Sequence, residues 1–167
     1  MTFLKFSIIF LLIFLSGCDL REQNHDGYKE YKNETIEFLH PTNLKIEQEG
    51  TVFLKGYNYK NEHILSIFYE MILYPSPNYP GMRLYKDNKK DPTYVEIKIG
   101  DKNLLISVKE KEKNKLIFSY IIRFKTYSWT LIYYLETDKK PDYYINSGEY
   151  PEIPKKIIES AVIKSKY

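Results

Sequence analysis

Beyond about residue 34 the apolar residues of this chain recur at every second position, and no other feature narrows its fold as much. Leu116, Phe118, Tyr120, Ile122 and Phe124 fall on one side of an extended chain, while Ser119, Arg123 and Lys125 fall on the other. Successive side chains of a strand point to opposite faces, so this spacing specifies a sheet with one dry and one wet surface. Trp129, Leu131, Tyr133 and Leu135 repeat the pattern against Thr130, Ile132 and Tyr134. Val95, Ile97 and Ile99 point together, Leu104, Ile106 and Val108 continue their face, and Thr51 to Tyr59 alternates as well. His63 to Tyr74 fits two periods. Leu65, Ile67, Tyr69, Met71 and Leu73 alternate, whereas Ile64, Leu65, Phe68 and Ile72 lie on a helical stripe. Its density of β-branched and aromatic residues, after the turn-forming "NYKNE", favours the strand.

Gly100-Asp101 supplies a tight turn and the charged stretch Lys111 to Asn114 closes the next hairpin. Connections this short favour antiparallel neighbours, which need no crossover. The last segment changes period. Pro154 suits a first helical turn, and Ile153, Ile157, Ile158, Ala161 and Val162 share a stripe opposite Lys155, Lys156 and Glu159. The spacing predicts a helix over 154–164 lying across the dry face. The fold class expected is therefore α+β, a meandering antiparallel sheet covered by a C-terminal helix. One domain over 34–167 suits a chain of 167 residues.

The N-terminus obeys different rules. Met1 to Lys5 carries one positive charge, and in Phe6 to Leu15 only Ser7 is polar. That run falls short of the roughly 20 apolar residues of a membrane span and reads as the n- and h-regions of a secretory signal. Leu15-Ser16-Gly17-Cys18 then resembles the lipobox of bacterial lipoproteins: an aliphatic residue, two small ones and a cysteine. The resemblance implies a signal peptide over 1–17, cleavage before Cys18, and diacylglyceryl and palmitate-type chains on that residue. Such chains anchor a protein to a membrane without spanning it. The alternative is an ordinary signal with a chance cysteine. Cys18 is the single cysteine in the chain, so an exported domain would rest on its core without disulfides. Asp19 is similar to the inner-membrane retention signal of enteric lipoproteins. The location implied is the bacterial cell envelope, facing the periplasm, with the inner membrane favoured. Residues 18–33 are expected as the lipidated end and its tether. Leu20 to Asn33 is polar and aperiodic, a flexible leash whose length gives a reach of roughly 20 Å.

Two stretches of the domain resemble a known architecture. "IEFLHPTNLKIEQE" is similar to the first hairpin of the Mog1/PsbP-like fold, to which the bacterial DcrB family belongs. "WTLIYYLETD" and "IPKKIIESAVIK" resemble its final strand and terminal helix. The resemblance implies that the loop from Pro75 to Pro92 is an insertion, and that binding or assembly of other proteins is the kind of task to expect.

Signatures of chemistry are sparse. The formal net charge is +3, and removing residues 1–17 takes away Lys5 and no acid, leaving +2. Nucleic-acid binding domains are usually far more basic, so no nucleic-acid partner is expected. His25, His40 and His63 have no ligand partners at metal-site spacing, so neither metal nor cofactor is expected. The chain contains no Gly-x-Ser-x-Gly elbow and no phosphate-binding glycine loop. Asp138 and Asp142, flanking Lys139-Lys140-Pro141, read as loop solvation. A thiol at Cys18 would be consumed by lipid, which leaves it no catalytic part.

Tyrosine is the residue in excess, with 17 copies. Tyr74, Tyr79 and Tyr85 surround Arg83 in the proline-rich "YPSPNYPGMRLY", and Tyr143, Tyr144 and Tyr150 cluster in "PDYYINSGEYPEIP". Tyr and Arg are enriched at protein interfaces, so Tyr79, Arg83, Tyr85, Tyr143 and Tyr144 are the candidate partner-binding residues. The plain alternative is that these rings cap the core edge and tie the loops down. The expected function is a non-catalytic, membrane-anchored envelope lipoprotein that binds a protein partner, such as an immunity-type inhibitor of an envelope toxin. A second reading is an assembly or stability factor for an envelope complex. A third is an enzyme acting on lipid or cell wall, which a Ser-His pair or convergent acids in a deep pocket would revive.

Overall fold

The computed structural model describes residues 27–50, 53–70, 88–123 and 128–164. In chain order the elements are β1 (Tyr28–Lys32), β2 (Ile36–Pro41), β3 (Lys45–Glu49), β4 (Phe53–Tyr57), β5 (His63–Glu70), β6 (Val95–Ile99), β7 (Lys102–Glu112), β8 (Lys115–Arg123), β9 (Ser128–Glu136), α1 (Pro141–Ser147), α2 (Glu152–Ser160) and β10 (Val162–Ile163). A seven-stranded sheet runs β3-β4-β5-β9-β8-β7-β6, and a three-stranded sheet runs β1-β2-β10. Every pairing is antiparallel. The large sheet consists of two meanders, β3-β4-β5 and β6-β7-β8-β9, joined where β5 pairs with β9.

The period-two pattern decides what each face buries. Leu104, Ile106 and Val108 of β7, Leu116 to Ile122 at alternate positions of β8, and Trp129, Leu131 and Tyr133 of β9 form one core with Ile36 and Phe38 of β2 and Ile157, Ile158 and Ala161 of the C-terminal segment. Each such side chain contributes about 1.5–3 kcal/mol on leaving water. The small sheet and both helices therefore lie on this first face. Burial raises the Tyr120 and Tyr133 phenols above their ordinary range, and the Tyr120 hydroxyl is buried without a hydrogen-bond partner. Ion pairs close the small sheet. Lys32 and Lys164 reach Glu37 at 3.0 and 3.2 Å. Hydrogen bonds from these two lysines hold its carboxyl down at about 2.

The structure takes the strand reading for His63–Glu70, with 71–74 outside the described residues, and places turns at Gly100 and Asn114, both with positive φ. Four expectations need correction. The leash does not extend to Asn33, because Tyr28–Lys32 is strand β1, paired with β2 from Tyr28–Pro41 to Lys32–Glu37. Tyr31 of this strand stacks on Phe38 at 5.0 Å. Next, "IEFLHPTNLKIEQE" is not a hairpin. β2 pairs within the small sheet and β3 within the large one, so Pro41 to Leu44 turns a corner between layers. The link is tied by the Tyr31 hydroxyl, which donates to Gln48 Oε1 at 3.0 Å.

The C-terminal helix spans Glu152–Ser160 rather than 154–164. Ser160 Oγ accepts from the Leu39 amide at 2.8 Å and donates back to the Lys156 carbonyl at 2.8 Å, and the helix ends where Ala161 turns extended. Val162 and Ile163 then pair as β10 with Glu37 and Ile36. Finally, the second tyrosine segment is not a loop throughout. Pro141 opens α1, and Gly148, at φ 70°, ends it with its amide on the Tyr144 carbonyl.

Candidate functional site

Cys18 and Asp19 lie outside the described residues, and so do Tyr79, Arg83 and Tyr85. The remaining two candidates separate. Tyr143 is 36% exposed and Tyr144 only 7%. Tyr144 packs edge-on against Phe118 at 4.9 Å, and its hydroxyl donates to Thr137 Oγ1 at 3.2 Å. Its assignment as a partner contact is therefore corrected: one helical turn puts it in the core, where it pins α1 to β8. Tyr143 faces outward. The Lys139 ammonium sits 3.7 Å from its ring centre, and its hydroxyl donates to Glu149.

The surface that the sequence pattern did not single out is the second face of the large sheet. No described helix or strand lies over it, because the small sheet, α1 and α2 all pack on the other side. Register places its side chains in rows. One row holds Leu105, Ile121, Thr130, Phe68 and Phe53, and the next holds Ser107, Ser119, Ile132, Ser66 and Lys55. Phe53 and Phe68 stack at 4.4 Å, and Phe68 is 42% exposed. Tyr94 packs on Leu105 and Ile121 at the far end.

A third row carries Ile117, Tyr134, His63 and Tyr57, and it depends on an irregularity. The β4–β5 register shifts between Gly56 and Tyr57, so Tyr57 pairs with His63. Ile64 then joins the main core, while the His63 ring lies 5.6 Å from Tyr57 and 5.7 Å from Tyr134. A bulge that adds a residue to one strand flips the side chains beyond it, which is how an aromatic trio assembles here. Lys111 places its ammonium 4.8 Å from the Tyr134 ring centre. Gly56 makes the crossing tight, since a Cβ there would meet Leu65 Cβ at 2.8 Å.

His63 and Ser66 form a Ser-His contact on this surface. His63 Nε2 stands 2.9 Å from the Leu65 carbonyl oxygen and 2.9 Å from Ser66 Oγ. The Leu65 contact needs the proton on Nε2, because a carbonyl oxygen only accepts, whereas the other tautomer would accept from the Ser66 hydroxyl. Ser66 is 4% exposed, closed off from a substrate. The pair is thus built to fix the ring. Beside it a groove of about 410 Å³ opens between Asn58, Glu62, Ile64, Lys115, Tyr133 and Glu136. Its acids are engaged differently: Glu62 accepts from Asn58 Nδ2 at 2.7 Å, and Glu136 faces Lys115 across the ladder. No group of three His, Cys, Asp or Glu that could hold a metal gathers among the described residues. No described helix is long and apolar enough to cross a membrane.

Aromatic residues at the alternate positions of β4, β5 and β9 were the signal for this surface. Phe53, Phe68 and Tyr134 stand where a solvated face would carry polar residues.

Comparison with known proteins identifies the fold and nothing finer. No family model matches the chain, and no curated protein matches it. Among solved structures, a crystal structure from Bacteroides thetaiotaomicron VPI-5482 is similar at a TM-score of 0.56 and 11% identity, over 78% of this chain and 46% of that one. The chain thus spans less than half the length of that protein. The solution structure of cyanobacterial PsbP (CyanoP) from Synechocystis sp. PCC 6803 is similar at a TM-score of 0.52 and 12% identity, over 90% of this chain and 99% of that one. The chain has an α+β fold of antiparallel sheets with C-terminal helices, and it resembles the PsbP-like fold.

Proposed function

We propose that this chain is a lipid-anchored protein of the bacterial envelope that holds a protein partner without catalysing a reaction on it, as an immunity-type inhibitor of an envelope toxin does. The observation that carries this reading is the position of the uncovered aromatic face. The chain enters the domain at Gly27 and Tyr28 in the small sheet, which packs behind the large one. A tether through Cys18 would join the domain in the layer opposite Phe53, Phe68, His63 and Tyr134. The lipobox-like Leu15-Ser16-Gly17-Cys18 and the short apolar run before it support the anchor. The burial of Ser66 beside His63 supports binding over hydrolysis.

Metabolic labelling tests the anchor. Cells given tagged palmitate should label the wild-type chain, and Cys18→Ser should lose both the label and its place in the membrane fraction. A Cys18→Ser chain that still sediments with membranes would sink the reading.

A further inference from the structure

The open face is not uniform in charge, and its asymmetry describes what could cover it. At the β3–β4 side its charges are closed in pairs: Lys45 with Glu47, and Lys55 with Glu49 at 2.7 Å. At the β6–β7 side three exposed lysines, Lys98, Lys109 and Lys111, stand on the same face, the first two by register and the third by its contact with Tyr134. The acids nearest them divide their charge between these lysines and other partners: Asp91 acts on Lys109 and Asp101 on Lys98, while Glu112, beside Lys111, faces Lys115 across the ladder. Glu96 is held by Lys89 at 2.9 Å, Asp101 by Lys102 at 3.2 Å, and Asp91 accepts from the Thr93 amide at 2.9 Å. Glu136 sits opposite Lys115 in the ladder.

Resting on the partner-binding reading above, we propose that this face seats the acidic surface of a protein partner. The partner's apolar side chains lie on Phe53, Phe68 and Ile132, and its carboxylates meet Lys98, Lys109 and Lys111. Aromatic residues at the centre of a contact with charges at the rim form the usual division of labour in protein recognition. The rim lysines would speed encounter with an acidic partner and penalise a basic one. The bilayer is the poorer occupant, because the chain enters from the opposite layer at Gly27.

Site-specific photocrosslinking in cells tests the assignment. p-Benzoylphenylalanine replaces Phe68 in the full chain, and Tyr143 in a second chain. The Phe68 probe should give a discrete protein adduct whose crosslinked peptide is rich in Asp and Glu. Reversing Lys98, Lys109 and Lys111 to Glu should cut that adduct at least about tenfold, with the melting temperature held within about 3 °C. If the triple reversal fails to fold, the triple Gln variant should still lower the yield. Adducts from Tyr143 and none from Phe68 would overturn this site while leaving partner binding intact. An absence of protein adducts from both probes would overturn partner binding itself. An adduct at Phe68 with a second copy, with lipid, or with a peptide indifferent to the lysines would overturn the acidic-partner proposal.

Discussion

The two faces of the seven-stranded sheet are made by the same strands, yet they obey different rules. The first is closed by the small sheet and both helices, and its alternate residues, from Leu104 to Tyr133, are aliphatic or aromatic almost without exception. The second has no covering element among the described residues and mixes serines, lysines and rings. Ser66 and Ser107 are buried there between larger neighbours, and Ser107 Oγ has no hydrogen-bond partner. The contrast teaches that a period-two pattern identifies the dry side reliably but says little about the wet one. A residue that need not be polar, such as Phe53 or Phe68, is the informative departure.

Mutations can test how deep the difference runs. The largest effect belongs to the closed face: Phe118→Ala, which strips a ring packed against Tyr120, Tyr133 and Tyr144, should lower stability by about 3–5 kcal/mol in urea denaturation. An intermediate effect is expected at Gly56, where the two faces are forced through the bulge. Gly56→Ala drives a Cβ against Leu65 Cβ and should cost about 1–3 kcal/mol by the same measurement. The smallest belongs to the open face. Phe68→Ala removes one stacking partner of Phe53 and should cost about 1 kcal/mol. A loss at Phe68 as large as that at Phe118 would mean that the second face is a true core, and the contrast would collapse.

Much of this architecture was legible because local and long-range preferences agree in it. From Val95 to Leu135 the alternation, the turn at Gly100-Asp101 and the Lys111–Asn114 reversal all specify antiparallel neighbours, and the sheet follows them. What was not legible depends on partners distant in sequence. "YKEYK" is polar enough to pass for a leash, and it becomes β1 because Tyr31 finds Phe38 and Gln48. Val162 continues the α2 stripe in sequence, yet the backbone turns extended at Ala161 and joins the β2 edge. Composition pointed to none of the rings on the second face; Tyr143, the exposed candidate, lies on α1 instead. The His63 trio depends on a register shift that no residue type announces.

The placement of β1 also determines how this fold meets mechanical load. Tension on the chain ahead of Gly27 arrives at the open end of the β1–β2 ladder, where Tyr28 faces Pro41. Its rungs then take the force one after another, from Tyr28–Pro41 towards Lys32–Glu37, rather than all at once. Peeling proceeds as far as Tyr31, whose stacking on Phe38 and hydrogen bond to Gln48 make it the first firm stop. Because Gln48 belongs to β3, that stop passes the load to the seven-stranded sheet at its β3 edge, so a pull on the chain ahead of Gly27 reaches the sheet first at the strand farthest from β6.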